Sequence, residues 1–192
     1  QMIAKGLDFP RVTLVGVLDA DVALHLPDFR AAERTFQLLV QVAGRAGRGR
    51  VAGEVFVQTC TPGHPAVAAA ALHDERLFLD HELRQRREAG YPPFTRLATV
   101  LFSGPKEGEV EAAAHRVREA IEAAAGEGGV DVLGPAPQAL ARLRGRHRWH
   151  LLLKAKDAAR LRAVALLALE RAEAARPKGV TVMADVDPVE VL

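Results

Sequence analysis

The first part of the chain contains two apolar runs with an amphipathic segment between them. The run over residues 11–18 is typical of a strand buried on both faces of a parallel sheet. A helix is predicted to follow a possible N-cap at Asp28 and to end at Gly44, and residues 54–59 again predict a strand. The apolar positions of the helix recur every three or four residues: Phe29, Ala32, Phe36, Leu39 and Val40. The order strand, helix, strand indicates βαβ organisation.

A long helix and a domain boundary are predicted next. After a proline-rich turn, one helix is expected over residues 65–89. Gly90 supplies a C-terminal stop, and the two prolines that follow prevent the helix from continuing. We therefore expect one domain over residues 1–90 and a second over residues 91–192.

The second domain is predicted to contain six elements in the order β-α-β-β-α-β. Strands are expected over residues 97–102, 130–133, 147–155 and 180–186, and helices over residues 107–125 and from the predicted N-cap Asp157 to Ala172. This order fits a ferredoxin-like split βαβ domain, in which helices cover one face of an antiparallel sheet. The predicted fold class of the chain is therefore α/β.

Composition limits the classes of protein that this chain can belong to. With 192 residues, of which 49% are hydrophobic, the chain can build one or two sizeable cores. A single cysteine, Cys60, excludes an internal disulfide framework and cannot form a zinc site that needs four protein ligands. The apolar segments are interrupted by charge well before the ~20 residues that span a bilayer, and no signal peptide is evident. We expect a cytoplasmic location, no membrane partner and no metal-binding residues here.

The basic residues are clustered, although the net charge of +2 is small. The clusters are Arg45, Arg48 and Arg50; Arg84, Arg86 and Arg87; and Arg142, Arg144, Arg146 and Arg148. A hairpin at the last cluster would send Arg146, Arg148 and His150 to one face of a sheet, where guanidinium groups can neutralise phosphates. The sequence predicts DNA binding by Arg144, Arg146 and Arg148, and a solvated basic loop is the alternative. Trp149 points to the opposite face, which favours a core position over base stacking.

The segment of residues 41–48 has the composition of a phosphate-binding element. It places Arg45 and Arg48 three residues apart among glycines, at the end of the predicted amphipathic helix. A guanidinium group stays charged at any working pH and offers a rigid fork of donors to phosphate oxygens. Recognition of a γ-phosphate is one interpretation, and a glycine-rich basic helix cap is the other.

Two carboxylates and three histidines remain to be interpreted. Asp19 and Asp21 follow a buried strand, where α/β proteins place ligand contacts. They could bind a metal or cap neighbouring loops, and capping is the expectation that we favour. The histidines are expected at the surface without ligand spacing: His64, His73 and His81.

Four blocks of this sequence together resemble one helicase family. They are Gln-Met-Ile-Ala-Lys-Gly at residues 1–6, Asp-Phe-Arg-Ala-Ala-Glu-Arg at 28–34, Tyr-Pro-Pro-Phe at 91–94 and Asp-Val-Asp-Pro at 185–188. The first block resembles motif V of superfamily 2 helicases, and residues 41–48 resemble motif VI. The four blocks span nearly the whole chain and are similar to those of the PriA family, the primosomal proteins N-prime that restart stalled replication. The resemblance implies the C-terminal part of a RecA-like helicase lobe followed by the smaller α/β domain.

The resemblance also implies roles for residues in the two motifs. Gly6 and Asp8 would lie near the nucleotide ribose, and Lys5 would contact the DNA backbone. Gln41, Arg45 and Arg48 would approach the γ-phosphate when the two lobes close. A turn at Gly6 and a cap at Asp8 are the alternatives without a functional role.

ATP hydrolysis by this fragment alone is not expected. The sequence contains no Gly-x-x-x-x-Gly-Lys-Ser/Thr loop and no acidic segment placed to hold magnesium. The resemblance implies that ATP and Mg²⁺ bind in the complete protein and that a zinc module precedes Gln1. If the upstream lobe has lost its nucleotide-binding residues, the protein is a non-catalytic scaffold that binds forks.

The resemblance implies branched and single-stranded DNA, primosome proteins and single-stranded DNA-binding protein as partners. Arg160 or Arg162 would receive the acidic C-terminal tail of single-stranded DNA-binding protein. Ala158 departs from the basic residue expected in that pocket, so a helix that merely carries exposed arginines is an equal alternative. If the upstream lobe retains its nucleotide-binding residues, the resemblance implies that the complete protein unwinds DNA 3′ to 5′ and allows the replicative helicase to be reloaded.

Overall fold

The chain divides into two compact units. The computed structural model describes residues 12–44, 46, 53–175, 179–189 and 191. The first unit spans residues 1–85 and the second residues 86–192. Within the described part, no helix is both long and apolar enough to cross a membrane.

The first unit contains the predicted strand, helix, strand arrangement. Strands β1 (Leu14–Val17) and β2 (Glu54–Val57) pair in parallel, and helix α2 (Ala31–Ala43) lies between them in the chain. The short helix α1 (Asp21–Leu24), which the sequence did not predict, precedes α2. Both strands are shorter than predicted, because their ladder contains only the four residue pairs from Leu14–Glu54 to Val17–Val57.

The prediction that Asp28 is the N-cap of α2 is wrong. The N-cap residue is Arg30, and it makes no side-chain capping bond. Asp28 instead organises the turn before the helix: its Oδ1 accepts a hydrogen bond of 2.9 Å from the Arg30 amide, and its backbone carbonyl accepts one from Ala31. The other carboxylate oxygen lies 3.2 Å from the guanidinium of Arg34. The carboxylate therefore stabilises the start of α2 from two residues before the cap. The helix ends, as predicted, at Gly44.

The single helix predicted over residues 65–89 is also wrong, because the chain forms two helices there. They are α3 (Pro65–Ala71) and α4 (Glu75–Glu88). Between them His73 has a positive φ of 52°, and the amides of His73 and Asp74 donate to the carbonyls of Ala70 and Ala69. The Asp74 side chain then accepts a 2.9 Å bond from Leu77 N and so caps α4. The boundary between the two units falls within α4.

Aromatic stacking holds the core of the first unit together. Phe36 of α2 and Phe78 of α4 stack with their ring centroids 4.3 Å apart and their planes 5° apart. The alanine face of α3 packs beside them, and Val17 and Val57 pack from the strands. The histidine predicted at the surface before α3 also has a structural role, because His64 Nδ1 accepts a bond from Ala66 N at the helix start.

The second unit has the predicted β-α-β-β-α-β order. Its elements are β3 (Arg96–Gly104), α5 (Glu107–Gly128), β4 (Val130–Leu143), β5 (Arg146–Ala155), α6 (Ala158–Ala175) and β6 (Thr181–Val186). The sheet is antiparallel with strand order β4-β5-β3-β6. Both helices pack on one face, where the central strands contribute Val100, Phe102 and Leu151 to the core. The mixed α/β class predicted for the chain is confirmed.

Strand β4 is much longer than the four residues predicted. The predicted strand ended at Leu133, but the chain bulges after this residue and pairing resumes at Ala136. Gly134 has φ of +94°, and a Cβ at this position would lie 2.8 Å from the His150 carbonyl oxygen. Glycine therefore permits the bulge that lets β4 continue.

The side chain of Lys154 fixes the start of the second unit to its sheet. Gly90 ends α4 as predicted, with φ of +63° and a bond from Tyr91 N to the Arg86 carbonyl. Lys154 Nζ lies 3.6 Å from the Tyr91 ring centroid and donates to the Ala89 carbonyl. Burial lowers the pKa of Lys154. The Tyr-Pro-Pro-Phe block therefore packs against β5.

Candidate nucleic-acid interface

The hairpin between β4 and β5 carries the densest basic cluster of the second unit. Its turn is made by Arg144 and Gly145, with φ of 50° and 78°. Two residue pairs lie next to the turn, Leu143 with Arg146 and Arg142 with His147. Arg142 and Arg144 are exposed at this end of the hairpin. The tip therefore presents two guanidinium groups to solvent.

Charge along this part of the chain has one sign. Between Asp131 and Asp157 the sequence contains four arginines and two lysines, and it contains no acidic residue. A polyanion that approaches the hairpin would therefore meet no carboxylate from β5 or from the turn. A surface that carries only positive charge attracts a phosphate backbone more strongly than a surface of mixed charge does.

Arg146 differs from its neighbours because its guanidinium bonds to the protein. Nε donates to Ser103 Oγ at 3.0 Å, and Nη2 donates to the Ser103 carbonyl at 2.6 Å. Nη2 also lies 3.0 Å from Thr181 Oγ1 and 3.5 Å from the Gly179 carbonyl. The sequence predicted Arg146 as a DNA contact and gave no sign of these bonds, which join β5 to the end of β3 and the start of β6.

Strand alternation places the other residues of β5 as the sequence predicted. Arg146, Arg148 and His150 alternate with Trp149, which packs against the core that the helices cover. The pKa of His150 is lowered, chiefly by burial, so the ring is neutral at pH 7 and supplies no charge for a phosphate. Arg148, which is partly buried like Arg146, adds a second guanidinium group to this face.

The two arginines predicted to bind a partner lie in the first turn and a half of α6. Asp157 caps this helix as predicted, since its Oδ1 accepts bonds from Ala159 N at 2.7 Å and Arg160 N at 3.1 Å. These bonds lower the pKa of Asp157. Arg160 Nη1 donates to the Gly128 carbonyl at the end of α5, at 3.3 Å. Both Arg160 and Arg162 are exposed.

Most of the predicted nucleotide-binding residues lie outside the described residues. They are Lys5, Gly6, Asp8, Arg45 and Arg48. Gln41 is described and is exposed on the last turn of α2. It lines a cleft of about 310 Å³ with Phe36, Val40 and His73 among its other walls. The structure therefore places Gln41 at an accessible helix end.

Asp21 caps a loop, which was the favoured interpretation of the two aspartates. Its Oδ1 accepts bonds from the hydroxyls of Thr59 at 2.9 Å and Thr61 at 2.5 Å, and its Oδ2 accepts one of 2.7 Å from Cys60 N. The hydrogen bonds from Thr61 and Cys60 lower the pKa of Asp21 to about 2. Asp19 is exposed and has φ of 53°. Among the described residues, no group of three or more His, Cys, Asp or Glu side chains is arranged to hold a metal ion.

Comparisons with known proteins match the whole chain. Residues 87–189 match the family described as the Primosomal protein N C-terminal domain. The chain is 45% identical over 170 residues to Replication restart protein PriA of Bacillus subtilis, covering 88% of this chain and 21% of that protein. It is 45% identical over 192 residues to the protein of that name from Treponema pallidum, covering 100% and 29%. For the Synechocystis protein of that name the identity is 41% over 191 residues, covering 100% and 22%.

These matches extend well beyond the four blocks that suggested the resemblance. The chain spans between 21% and 29% of the length of these three relatives. The family match alone covers more than half of this chain, and it includes all six elements of the antiparallel sheet unit. The chain belongs to the PriA family of replication restart proteins, as its sequence blocks predicted.

Proposed function

We propose that this chain forms part of a replication restart protein and that its second unit binds branched DNA through the β4–β5 hairpin. The relatives carry the name Replication restart protein PriA, which supports the biological role. The hairpin supports the mode of binding. In the complete protein, fork binding would be coupled to ATP-driven unwinding in the 3′ to 5′ direction.

The observation that carries the DNA-binding proposal is the exposure of two arginines at the tip of a hairpin whose residues 132–155 include no acidic side chain. Arg142 and Arg144 extend from the tip, and Arg148 lies on the adjacent strand face. Each guanidinium group can donate two parallel hydrogen bonds to phosphate oxygens. Contacts of this kind position a duplex or a single strand without reading its bases, which suits a protein that must bind forks of any sequence.

The first unit is proposed to be the end of a RecA-like motor lobe. Its parallel β1-α2-β2 arrangement supports this proposal, in which Gln41 on the last turn of α2 and the arginines Arg45 and Arg48 would contact the γ-phosphate. Large apolar side chains are exposed on and next to one face of the two strands: Leu14 is 61%, Leu18 82% and Phe56 63% accessible. Because parallel sheets are normally covered on both faces, further chain is expected to pack there in the complete protein.

Nucleotide and metal binding are proposed for the complete protein. ATP and Mg²⁺ would be held mainly by an upstream lobe, with Gly6 and Asp8 near the ribose and Lys5 on the DNA backbone. Zinc would belong to an upstream module. Arg160 and Arg162, which are exposed on α6, are proposed to bind the acidic tail of single-stranded DNA-binding protein. Other primosome proteins are proposed as further partners.

The second candidate function is a non-catalytic scaffold that binds forks and recruits primosome partners. The lack of a phosphate-binding loop in this sequence leaves this alternative open, whereas the arginines of the motif favour the motor. The residues encoded upstream separate the two candidates, because a Gly-Lys-Thr loop and an acidic magnesium-binding segment are required for the motor. The β4–β5 hairpin has the same DNA-binding role in both.

The test of the DNA-binding proposal is the salt dependence of fork binding by the complete protein. We predict that Arg144→Gln combined with Arg148→Gln lowers the affinity for a branched DNA. The slope of log affinity against log salt concentration should also flatten, by about 0.7–0.9 for each guanidinium–phosphate pair that the substitutions remove. Fluorescence anisotropy with a labelled fork, measured over a series of salt concentrations, gives both quantities.

The control is Arg116→Gln, which removes one positive charge from an exposed position of α5. It should leave the slope unchanged, because α5 packs on the face of the sheet opposite Arg148. If the double substitution also leaves the slope unchanged, the hairpin is a solvated loop and the proposed DNA-binding face is wrong.

A further inference from the structure

We infer that Arg146 positions the tip of the β4–β5 hairpin and that phosphate contacts are left to its neighbours Arg142, Arg144 and Arg148. This inference rests on the DNA-binding function proposed above. It assigns to Arg146 a different role from the one suggested by its place in an arginine cluster.

The first observation is the number of strands that the Arg146 guanidinium joins. Its Nε and Nη2 donate to both oxygens of Ser103 at the end of β3, at 3.0 and 2.6 Å. Nη2 also donates to Thr181 Oγ1 at the start of β6, at 3.0 Å. Ser103 and Thr181 are themselves paired across the two strands. One side chain of β5 therefore bonds to β3, the strand beside it, and to β6, the next strand of the sheet, at the end from which the hairpin extends.

The second observation is that the outer part of the hairpin has little other support. The ladder between β4 and β5 loses its regular register between Pro137 and Arg142. Beyond this irregularity, the Arg142–His147 and Leu143–Arg146 pairs hold the tip, and residues 139–145 are all exposed. Arg146 thus bonds the tip to the rest of the sheet, and beside it His147 Nδ1 lies 3.6 Å from Glu107 Oε2 at the start of α5.

Fixing the tip matters for binding because a mobile loop must lose conformational freedom when it grips DNA. Each side chain or loop that is ordered only on binding reduces affinity, whereas a tip already held in place avoids that cost. The planar guanidinium group suits the anchoring role, because its donors are fixed in a fork and can serve Ser103 and Thr181 together. A lysine at position 146 would offer one flexible ammonium group and could not reproduce this geometry.

The experiment separates the charge of Arg146 from its bonds. Ser103→Ala combined with Thr181→Val removes two hydroxyl acceptors and retains the Arg146 charge. Arg146→Gln removes the charge and the bonds, and Arg146→Lys retains only the charge. In the complete protein, all three variants should lower fork affinity by about threefold to tenfold. Because the Arg144 contact depends on the held tip, any flattening of the salt slope should be the same in the two variants that retain the Arg146 charge as in Arg146→Gln.

Hydrogen exchange and a double-mutant cycle provide a second readout. Amides of residues 142–147 should exchange faster in all three variants, while amides of β3 and α5 keep their protection. Because Arg144 is useful only when the tip is held in place, adding Arg144→Gln to Arg146→Gln should cost less affinity than Arg144→Gln alone. This non-additivity is not expected if Arg146 only contributes to overall stability. If Arg146→Gln does not fold, the hydroxyl variant still tests the inference.

Three outcomes would overturn the inference. A salt slope flattened by Arg146→Gln, with full affinity in the hydroxyl variant, would make Arg146 a phosphate contact. A lower unfolding midpoint with unchanged fork affinity would make it a structural residue only. Additive costs of the Arg144 and Arg146 substitutions would remove the positioning role. By contrast, an unchanged slope in Arg144→Gln combined with Arg148→Gln would contradict the proposed function itself.

Discussion

Asp21 shows how one side chain can hold a loop in place. Its carboxylate accepts hydrogen bonds from Thr59, Cys60 and Thr61, which follow β2, although it lies 38 to 40 positions earlier in the chain. Hydrogen bonds to the ionised form favour that form, which explains why its pKa lies at about 2. Asp21 bonds to three successive residues of one segment and Arg146 bonds to two strands, so both are expected to be sensitive to conservative substitution.

At pH 7 we predict that Asp21→Asn lowers the stability of the first unit, because an amide cannot accept all three bonds as a carboxylate does. The folded pKa of about 2 lies below the value of 3.8 for an unperturbed aspartate. The stabilisation by the carboxylate is therefore complete above pH 3.8 and is lost as the pH falls through 2. Unfolding midpoints measured from neutral to acidic pH should converge for the two proteins at the acidic end.

The control for this prediction is Asp19→Asn, two residues earlier in the same loop. Asp19 is exposed and adopts a positive φ, which asparagine tolerates. Its substitution should leave the midpoint at pH 7 nearly unchanged. Equal losses of stability in the two variants at pH 7 would show that the hydrogen bonds of Asp21 are not responsible.

At the scale of elements, the break between α3 and α4 allows two different helix faces to be buried. Helix α3 buries Ala66, Ala69 and Ala70, whereas α4 buries Phe78 against Phe36. An uninterrupted helix would fix the angle between these faces by its 3.6-residue period. The positive φ of His73 and the cap at Asp74 release that constraint. The break therefore serves the packing of the first core.

Phe78→Ala tests the importance of this packing. Phe78 is 2% exposed and stacks on Phe36, so its truncation should reduce the free energy of unfolding of the first unit by about 3–5 kcal/mol. Urea denaturation followed by circular dichroism provides the measurement. Leu77→Ala, at a position that is 48% exposed on the same helix, should change the value by no more than about 0.5 kcal/mol. A similar loss in both variants would mean that the stacked pair does not form the core.

At the scale of the whole molecule, the two units are proposed to perform separate tasks. The first carries the motif that would contact nucleotide, and the second carries the basic hairpin that would contact DNA. Substitutions at the motif of the first unit should therefore change ATP hydrolysis by the complete protein, and substitutions in the hairpin of the second unit should change its DNA binding.

Arg48→Ala in the complete protein is predicted to lower DNA-stimulated ATP hydrolysis by about 10³-fold or more, since an arginine that stabilises phosphoryl transfer contributes on this order. Fork affinity should remain the same, because the β4–β5 hairpin is unchanged. Arg50→Ala, just beyond the paired arginines of the motif, is the control and should retain most of the activity. Unchanged turnover in Arg48→Ala would remove the γ-phosphate assignment.

Local signals in the sequence were sufficient for much of the second unit. Asp157 was predicted as an N-cap and Gly90 as a helix stop, and both act so in the structure. Their effects depend on residues within a few positions, which a sequence pattern can show. A predicted N-cap was misleading at Asp28. Its carboxylate bonds to Arg30, just before the helix starts at Ala31, and to Arg34 in the first turn. At Gly134 a residue typical of turns permits a bulge instead, because the partner strand continues beside it.

The sequence by itself determined the α/β class, the β-α-β-β-α-β order and the family, because periodic burial and short motifs are encoded in neighbouring residues. Only the tertiary structure decided which arginines remain available to a partner. Arg146 bonds to Ser103 and Thr181, which lie 43 and 35 positions away, while Arg144 next to it is exposed. Identical side chains in one cluster acquire different roles because strand pairing brings acceptors to one of them and directs the other into solvent.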